Sequence, residues 1–293
     1  MPAPTLFPTE LTVADRQPKT DRLVLKDLLN RAAGDKRLEE PVLRAAHKVL
    51  IKWAELDSAK KLTTLNETQM QGDFLAEVFG QALGYAGATD GTEVFHRQQH
   101  HEIAGETPDA VLGFFQHDQP LDPLAVVELK GPKVHLDRDR SNGRTAVGQC
   151  WDYLINSPPT CRWGIVSNYV SFRLYERSST KQAYEHFKLQ DLRNFDEFRR
   201  FYALFHRQGL IDKYLGGLPR AVALLKESSE QQRKVGDELY DNYSRNRLAL
   251  IEVLHFKEKH PLHLAIEMAQ RLFDRIMFIA FCEDRHLLPE KTI

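Results

Sequence analysis

Two carboxylates and an amine stand at the ends of two short apolar runs. Pro108-Asp109 opens the first run, which continues as Ala110-Val111-Leu112-Gly113-Phe114-Phe115. The second is Ala125-Val126-Val127-Glu128-Leu129-Lys130-Gly131. Side chains alternate faces along a strand, so Glu128 and Lys130 point the same way while Leu129 points back into the core. If the two runs are antiparallel neighbours, Asp109 at the start of one lies beside Glu128 at the end of the other. Two converging carboxylates make an oxygen-only site, suited to Mg²⁺ and poorly suited to zinc. A cation held there polarises a phosphoryl oxygen and acidifies a bound water, and Lys130 would stand beside that water. The chemistry that such a site would perform is hydrolysis of a phosphodiester.

The elements that must position these groups are legible from period and punctuation. Residues 1–20 are polar and proline-containing, an extended arm. A helical pattern begins at Thr20, with Leu25, Leu28 and Leu29 on one side. Pro41 opens a second helix, in which Val42, Ala45, Ala46, Val49, Leu50 and Trp53 recur at helical spacing. Glu67 to Leu83 is a third, with Phe74, Leu75, Val78, Phe79 and Leu83 on its apolar face and Gly84 ending it. Periodicity alone makes Glu77 a solvated carboxylate at the edge of that face.

Strand-like runs follow at 93–98, 108–115 and 124–129, with the proline-rich 119–123 segment as a turn. A helix from Thr145 to Ile155 precedes two further strands, 162–168 and 171–176. Four or five strands with a helix inserted after the third describe a mixed α/β (α+β) sheet with helices on its faces. From Asp191 onward only helices are expected: 192–205, a break at Gly216-Gly217-Leu218-Pro219, a long charged helix to Phe256, and Pro261 to Cys282. The last carries Leu264, Met268, Leu272, Ile276, Ile279 and Phe281, which need a partner surface; packing among these helices is one way to supply it.

Here the residues resemble a known family. Pro108-Asp109, then Glu128-Leu129-Lys130, then Gln149-x-x-x-Tyr153 resemble the PD-(D/E)XK nuclease superfamily, in its subgroup with a Q-x-x-x-Y helix. More narrowly, residues 65–180 and the 278–289 segment resemble the N-terminal part of single-chain restriction–modification enzymes. The resemblance implies a restriction-endonuclease-like fold over 61–190, after an arm and helices at 1–60 and before an all-helical connector at 191–293. It implies Asp109 and Glu128 as metal ligands, Glu77 as a further acidic residue of the metal site, and Lys130 as the catalytic lysine. Gln149 and Tyr153 would support the site or contact DNA. Mg²⁺ is the implied cofactor, with Mn²⁺ able to substitute, and double-stranded DNA the implied substrate.

Such enzymes continue into a methyltransferase and a target-recognition domain. This chain has no N-P-P-Y motif and no glycine-rich cofactor loop; Asn156-Ser157-Pro158-Pro159-Thr160 lacks the aromatic and has a serine interposed. The expectation is a fragment of a longer enzyme or a separate subunit, with S-adenosylmethionine relevant only through a methyltransferase domain or partner. Cutting both strands would take two copies meeting on DNA. The alternative reading is a nuclease-fold module that binds DNA or another subunit without cutting.

Composition narrows the classes. The chain has 293 residues and a formal net charge of −1, so no global basic field marks a nucleic-acid partner. Its three cysteines, Cys150, Cys161 and Cys282, have no zinc-site spacing and read as reduced packing residues of a soluble, cytoplasmic protein. No signal pattern and no membrane-length apolar run is present. His96, His100 and His101 have no second ligand pair to complete a zinc site, no G-x-S-x-G elbow occurs, and Asp284-Arg285 reads as a helix-end salt bridge.

The local basic patch is the loop after Lys130, with Lys133, Arg138, Arg140 and Arg144 set against Asp137 and Asp139. Such a run is usually a solvated loop. Its place beside the acidic pair points to phosphate contact. Neutralising Arg138, Arg140 and Arg144 should therefore weaken DNA binding and flatten its salt dependence. Binding titrations across a salt series check this, and an unaltered slope would refute it.

Overall fold

The computed structural model describes residues 22–65, 67–212, 217–284 and 287–288. The expected arm at 1–20 with the helix start at Thr20, and likewise Gly216, Arg285 and Pro289, lie outside the described residues. The described residues fall into two compact units, one within 22–231 and one within 232–288.

The first unit is a mixed α/β sheet with helices on its faces. Helix α1 (Lys26–Ala33) buries Leu28, Leu29 and Ala33. It starts at Lys26 because Leu25 is extended, with ψ 135°, and the N–H groups ahead of the helix find partners elsewhere: Val24 N–H donates to Glu185 at 2.9 Å, and Leu25 N–H to Ser228 Oγ at 3.0 Å. Helix α2 (Glu40–Ser58) has Pro41 in its first turn and buries Leu43, Ala46, Leu50, Trp53 and Ala54. Val42, expected in the stripe, is half exposed, and Leu43 takes the inward position. Helix α3 runs from Glu67 to Phe74 as an α-helix and continues to Ala82 with π-helical turns. A π turn takes one residue more than an α turn, so the two ends present faces that a regular helix would not. Gly84 ends it at φ +77°, a conformation that glycine adopts without strain.

The sheet has six strands: β1 (Phe95–Gln98), β2 (Ala110–Phe115), β3 (Pro123–Leu129), β6 (Trp163–Ser167), β7 (Ser171–Glu176) and β8 (Glu185–Lys188), side by side in that order. A separate two-stranded ribbon, β4 (Arg140–Ser141) with β5 (Arg144–Thr145), lies in the basic loop. Strands β3 and β6 are parallel and every other neighbour pair is antiparallel. The parallel pair needs a crossover, which α4 (Ala146–Asn156) supplies. Strand β8 escapes the period-two pattern because Glu185 occupies a fully buried position on it.

Alternation sorts the strands' side chains between two cores. Ala125, Val127, Leu129, Ile165 and Leu174 join the larger core, which contains residues of α1, α2, α3 and α5 (Phe195–Phe205). Val111, Val126, Val166 and Tyr175 join the smaller core with Cys150 and Leu154 of α4. Glu128 shares the parity of Val126 and so lies on the α4 side. Covering both faces explains why β3 and β6 are almost wholly apolar.

Helix α6 (Arg207–Leu210) leads towards α7 (Arg220–Glu252), which passes into the second unit. There, after π-helical turns at Val253–Lys257, α8 (Leu262–Asp284) meets α7 where Gln270 donates to the Tyr243 hydroxyl at 3.0 Å and the Phe273 ring packs edge-on to that of Tyr243, and its Ala265 and Ala269 are fully buried. Leu264, Met268, Leu272, Ile276 and Phe281 remain exposed.

Helix α4 sits close enough to β6 that a Cβ on Gly164 would meet Cys150 Sγ at 2.8 Å. Gly164→Ala should destabilise the protein by about 1–3 kcal/mol through overpacking, with part of the loss recovered by adding Cys150→Ala. Urea denaturation of the single and double variants measures this.

Candidate functional site

The register Ala110↔Val127 and Val111↔Val126 makes β2 and β3 antiparallel neighbours, so Asp109 falls level with Glu128 at the open end of the pair. Asp109 completes the ladder with its side chain: Oδ2 accepts the Leu129 N–H at 2.6 Å. Its other oxygen, Oδ1, accepts from Gln71 Nε2 of α3 at 2.8 Å. Lys130 lies one residue beyond β3, and its N–H still donates to Ser167 O at 2.9 Å. That pins its backbone before Gly131 turns away. Lys130 Nζ sits 2.5 Å from Glu128 Oε1, with the Glu128 side chain 4% exposed and that of Lys130 22%.

Burial, and then the neighbouring Asp109 charge, push the Glu128 carboxyl up to about 7 from an ordinary value near 4.5; Lys130 opposes the shift. Two other buried glutamates differ in how far their partners offset burial. Glu176 accepts from Arg162, from the Ser178 N–H and from the hydroxyls of Ser178 and Ser179. Glu185 takes Arg22 and the Val24 N–H, yet burial still raises its carboxyl above the ordinary value. Glu128 is held by Lys130, and the Arg144 charge also favours its ionised form, but burial and the neighbouring Asp109 outweigh both.

Helix α4 is N-capped by Thr145, whose hydroxyl accepts the Gly148 N–H at 3.1 Å. It presents Gln149 and Tyr153 on its buried face. Burial raises the Tyr153 hydroxyl well above its ordinary range, with Glu128, Glu106 and Asp109 adding to the effect, so it stays protonated; its oxygen lies 3.5 Å from Thr107 O. Gln149 Oε1 is buried without a hydrogen-bond partner. The two residues share that face, as their four-residue spacing implies, and Tyr153 lies near enough to Glu128 and Asp109 to feel their charge.

Glu77 is not brought to the pair. It is held by Lys52 Nζ at 2.6 Å and Trp53 Nε1 at 2.9 Å, both on α2. The acidic pair opens towards α4, whereas α3 covers the opposite face; Gln71 instead reaches Asp109 around the strand end. Among the described residues no three carboxylate, imidazole or thiol groups gather closely enough to hold a metal. A neutral glutamine on a helix carries no sequence signal for this role.

The basic loop divides. Arg144 is already occupied: it bonds Asp152 of α4 at 3.0 Å and both oxygens of Glu106, which ties the strand leading to Asp109 onto α4. Asp137 is taken by Arg173 in two bonds of 2.7 Å. Arg140 donates to Gly143 O at 3.3 Å, and Lys133, Arg138 and Arg140 are exposed. The loop's open cations are these three, and Arg144 holds the frame. His96 accepts from Arg207 Nη1 at 2.6 Å, and burial followed by the Arg207 charge lowers it to about 4, so it stays neutral.

No family model, no curated protein and no solved structure matches this chain. Among the described residues no helix is long and apolar enough to cross a membrane.

A carboxyl raised by burial is neutral in the fold where it would be ionised in the unfolded chain, so its contribution falls as pH rises from about 4.5 to about 7. Without divalent ions, Glu128→Gln should therefore be more stable than the parent at pH 8 by about 1–3 kcal/mol, and lose that advantage at pH 4. Urea denaturation at both pH values tests this; a variant less stable at pH 8 would make the carboxylate a structural partner of Lys130.

Proposed function

We propose that this chain is a Mg²⁺-dependent DNA endonuclease module on a restriction-endonuclease-like fold, the cleavage part of a restriction–modification or phage-defence protein. The observation that carries the reading is the level placement of Asp109 and Glu128 at the end of β2 and β3, with Lys130 on Glu128. The donor set fits Mg²⁺, which binds through one or two carboxylates and keeps several waters for a phosphate substrate to replace. Such an ion would supply Lewis-acid polarisation of the phosphoryl oxygen and an acidified water.

The chain's own residues do the rest. Gln71 and the Leu129 N–H fix the orientation of Asp109. Burial keeps water away from Glu128, which strengthens any charge interaction there. Lys130 is the cation beside the attacked centre; it favours an anionic nucleophile and the charge that develops on the phosphate. Lys133, Arg138 and Arg140 receive the DNA backbone, while Arg144 holds the Glu106 loop on α4. The remaining helices act as a connector to a methyltransferase or target-recognition partner, and two copies act together on a duplex.

A second reading, a silent DNA- or subunit-binding module, draws on one specific fact: both oxygens of Asp109 already accept hydrogen bonds within the fold. Metal calorimetry separates the two. Mn²⁺ or Mg²⁺ heats present in the parent and absent in Glu128→Ala support the nuclease, and equal traces support the silent module. With supercoiled plasmid and either ion, the parent should nick or linearise it, and Lys130→Ala should be slower by about 10²–10⁴-fold under conditions where both are folded. Cutting that survives in Lys130→Ala would remove the lysine from the mechanism.

A further inference from the structure

The basic loop carries a two-stranded ribbon whose tip has no part in the chemistry above. Strands β4 and β5 pair Arg140 with Thr145 and Ser141 with Arg144, so Asn142 and Gly143 alone make the turn. Both have φ in the left-handed region, +52° and +80°, which is the type I′ turn whose twist matches that of the strands it joins. Asn-Gly suits that turn for backbone reasons, so the turn accounts for both residue types without any ligand. It does not account for how the ribbon is mounted.

Both legs are pinned. On the β5 side, Arg144 bonds Glu106 and Asp152, and Thr145 caps α4. On the β4 side, Leu136 is buried in the smaller core, Asp137 is held by Arg173, and the His135 N–H donates to Asp139 at 2.8 Å. The tip is clear. Residues 140–143 are exposed, and among the described residues a Cβ on Gly143 would meet nothing within 4 Å. Arg140 folds over the turn, its Nη1 donating to Gly143 O at 3.3 Å. An exposed guanidinium and an exposed amide thus stand together at the end of a fixed stalk.

The stalk rises beside the acidic pair. Glu106, which Arg144 holds, lies three positions before Asp109, and α4, which Thr145 caps, carries Tyr153. The Arg144 charge is felt at Glu128. Paired strands run about 4.8 Å apart between backbones, before side chains are added. A ribbon is therefore too wide for the minor groove of B-DNA, about 6 Å across, and fits the major groove, about 12 Å across. There an asparagine amide donates and accepts at once, which matches N7 and the N6 amine of adenine.

We infer that the β4–β5 ribbon enters the DNA major groove beside the scissile phosphate, where Asn142 bonds an adenine edge and Arg140 a phosphate of the groove wall. The inference rests on the nuclease reading above and adds a base preference carried by the cleavage module itself.

The full chain is mixed with a pool of randomised DNA duplexes in Ca²⁺, to separate binding from cutting, and the bound fraction is sequenced. Fluorescence anisotropy across a salt series then gives affinities for the enriched duplex. The parent should enrich adenine at one position. Asn142→Gly keeps a residue that adopts positive φ and removes the amide. It should lose the enrichment, bind the enriched duplex about tenfold more weakly and keep the salt slope. Replacing that adenine with 7-deazaadenine should weaken the parent by a similar factor and leave Asn142→Gly unaffected. Arg140→Ala should weaken all sequences alike and reduce the salt slope by about one. Enrichment that persists in Asn142→Gly, a bound pool with no enrichment, or a 7-deaza duplex bound as tightly as the unmodified one overturns the ribbon contact and leaves the nuclease reading standing. If no duplex binds the parent, the DNA reading falls, and the ribbon contact with it.

Discussion

Glu128 places a carboxylate at 3% exposure on the end of a central strand, with Asp109 level on the next strand and Lys130 against it. Keeping a charge out of water is unfavourable unless donors or cations replace the lost hydration. The chain meets that need at Glu176 with hydrogen-bond donors, whereas at Glu128 Lys130 and the Arg144 charge do not outweigh burial and Asp109. The elements around the strand end hold this arrangement in place. The β3–β6 ladder continues to Lys130, Gln71 and Leu129 fix Asp109, and α4 closes the face that Glu128 occupies.

Around this centre the charged loop is organised as a frame and an open side. Arg144 joins Glu106 to Asp152, and Arg173 fixes Asp137, so these groups set the positions of the 103–109 and 131–145 segments. Lys133, Arg138 and Arg140 face solvent from a loop already held at several points. A cation on a fixed backbone loses less freedom on meeting a phosphate than one on a mobile loop.

Strand alternation and turn residues placed most of the elements around the acidic pair. The β2–β3 pairing, the common side of Glu128 and Lys130, and α4 with Gln149 and Tyr153 on one face all follow from local spacing. Strand β8 did not, because its buried Glu185 answers to a segment more than 150 positions away. The large apolar residues of α8, which the sequence marks as needing a partner surface, stay exposed.

What local sequence determined, then, is which residues share a strand face or a helix face, because side-chain direction repeats with the backbone period. What only the tertiary structure decided is which long side chains meet across elements. Glu77 pairs with Lys52 and Trp53, Gln71 reaches Asp109, and Arg144 is taken by Glu106 and Asp152. These meetings depend on the side of the sheet that each helix covers and on the π turns that rotate one end of α3 against the other. Neither is encoded in a local period, and both follow from how the two cores close around the sheet.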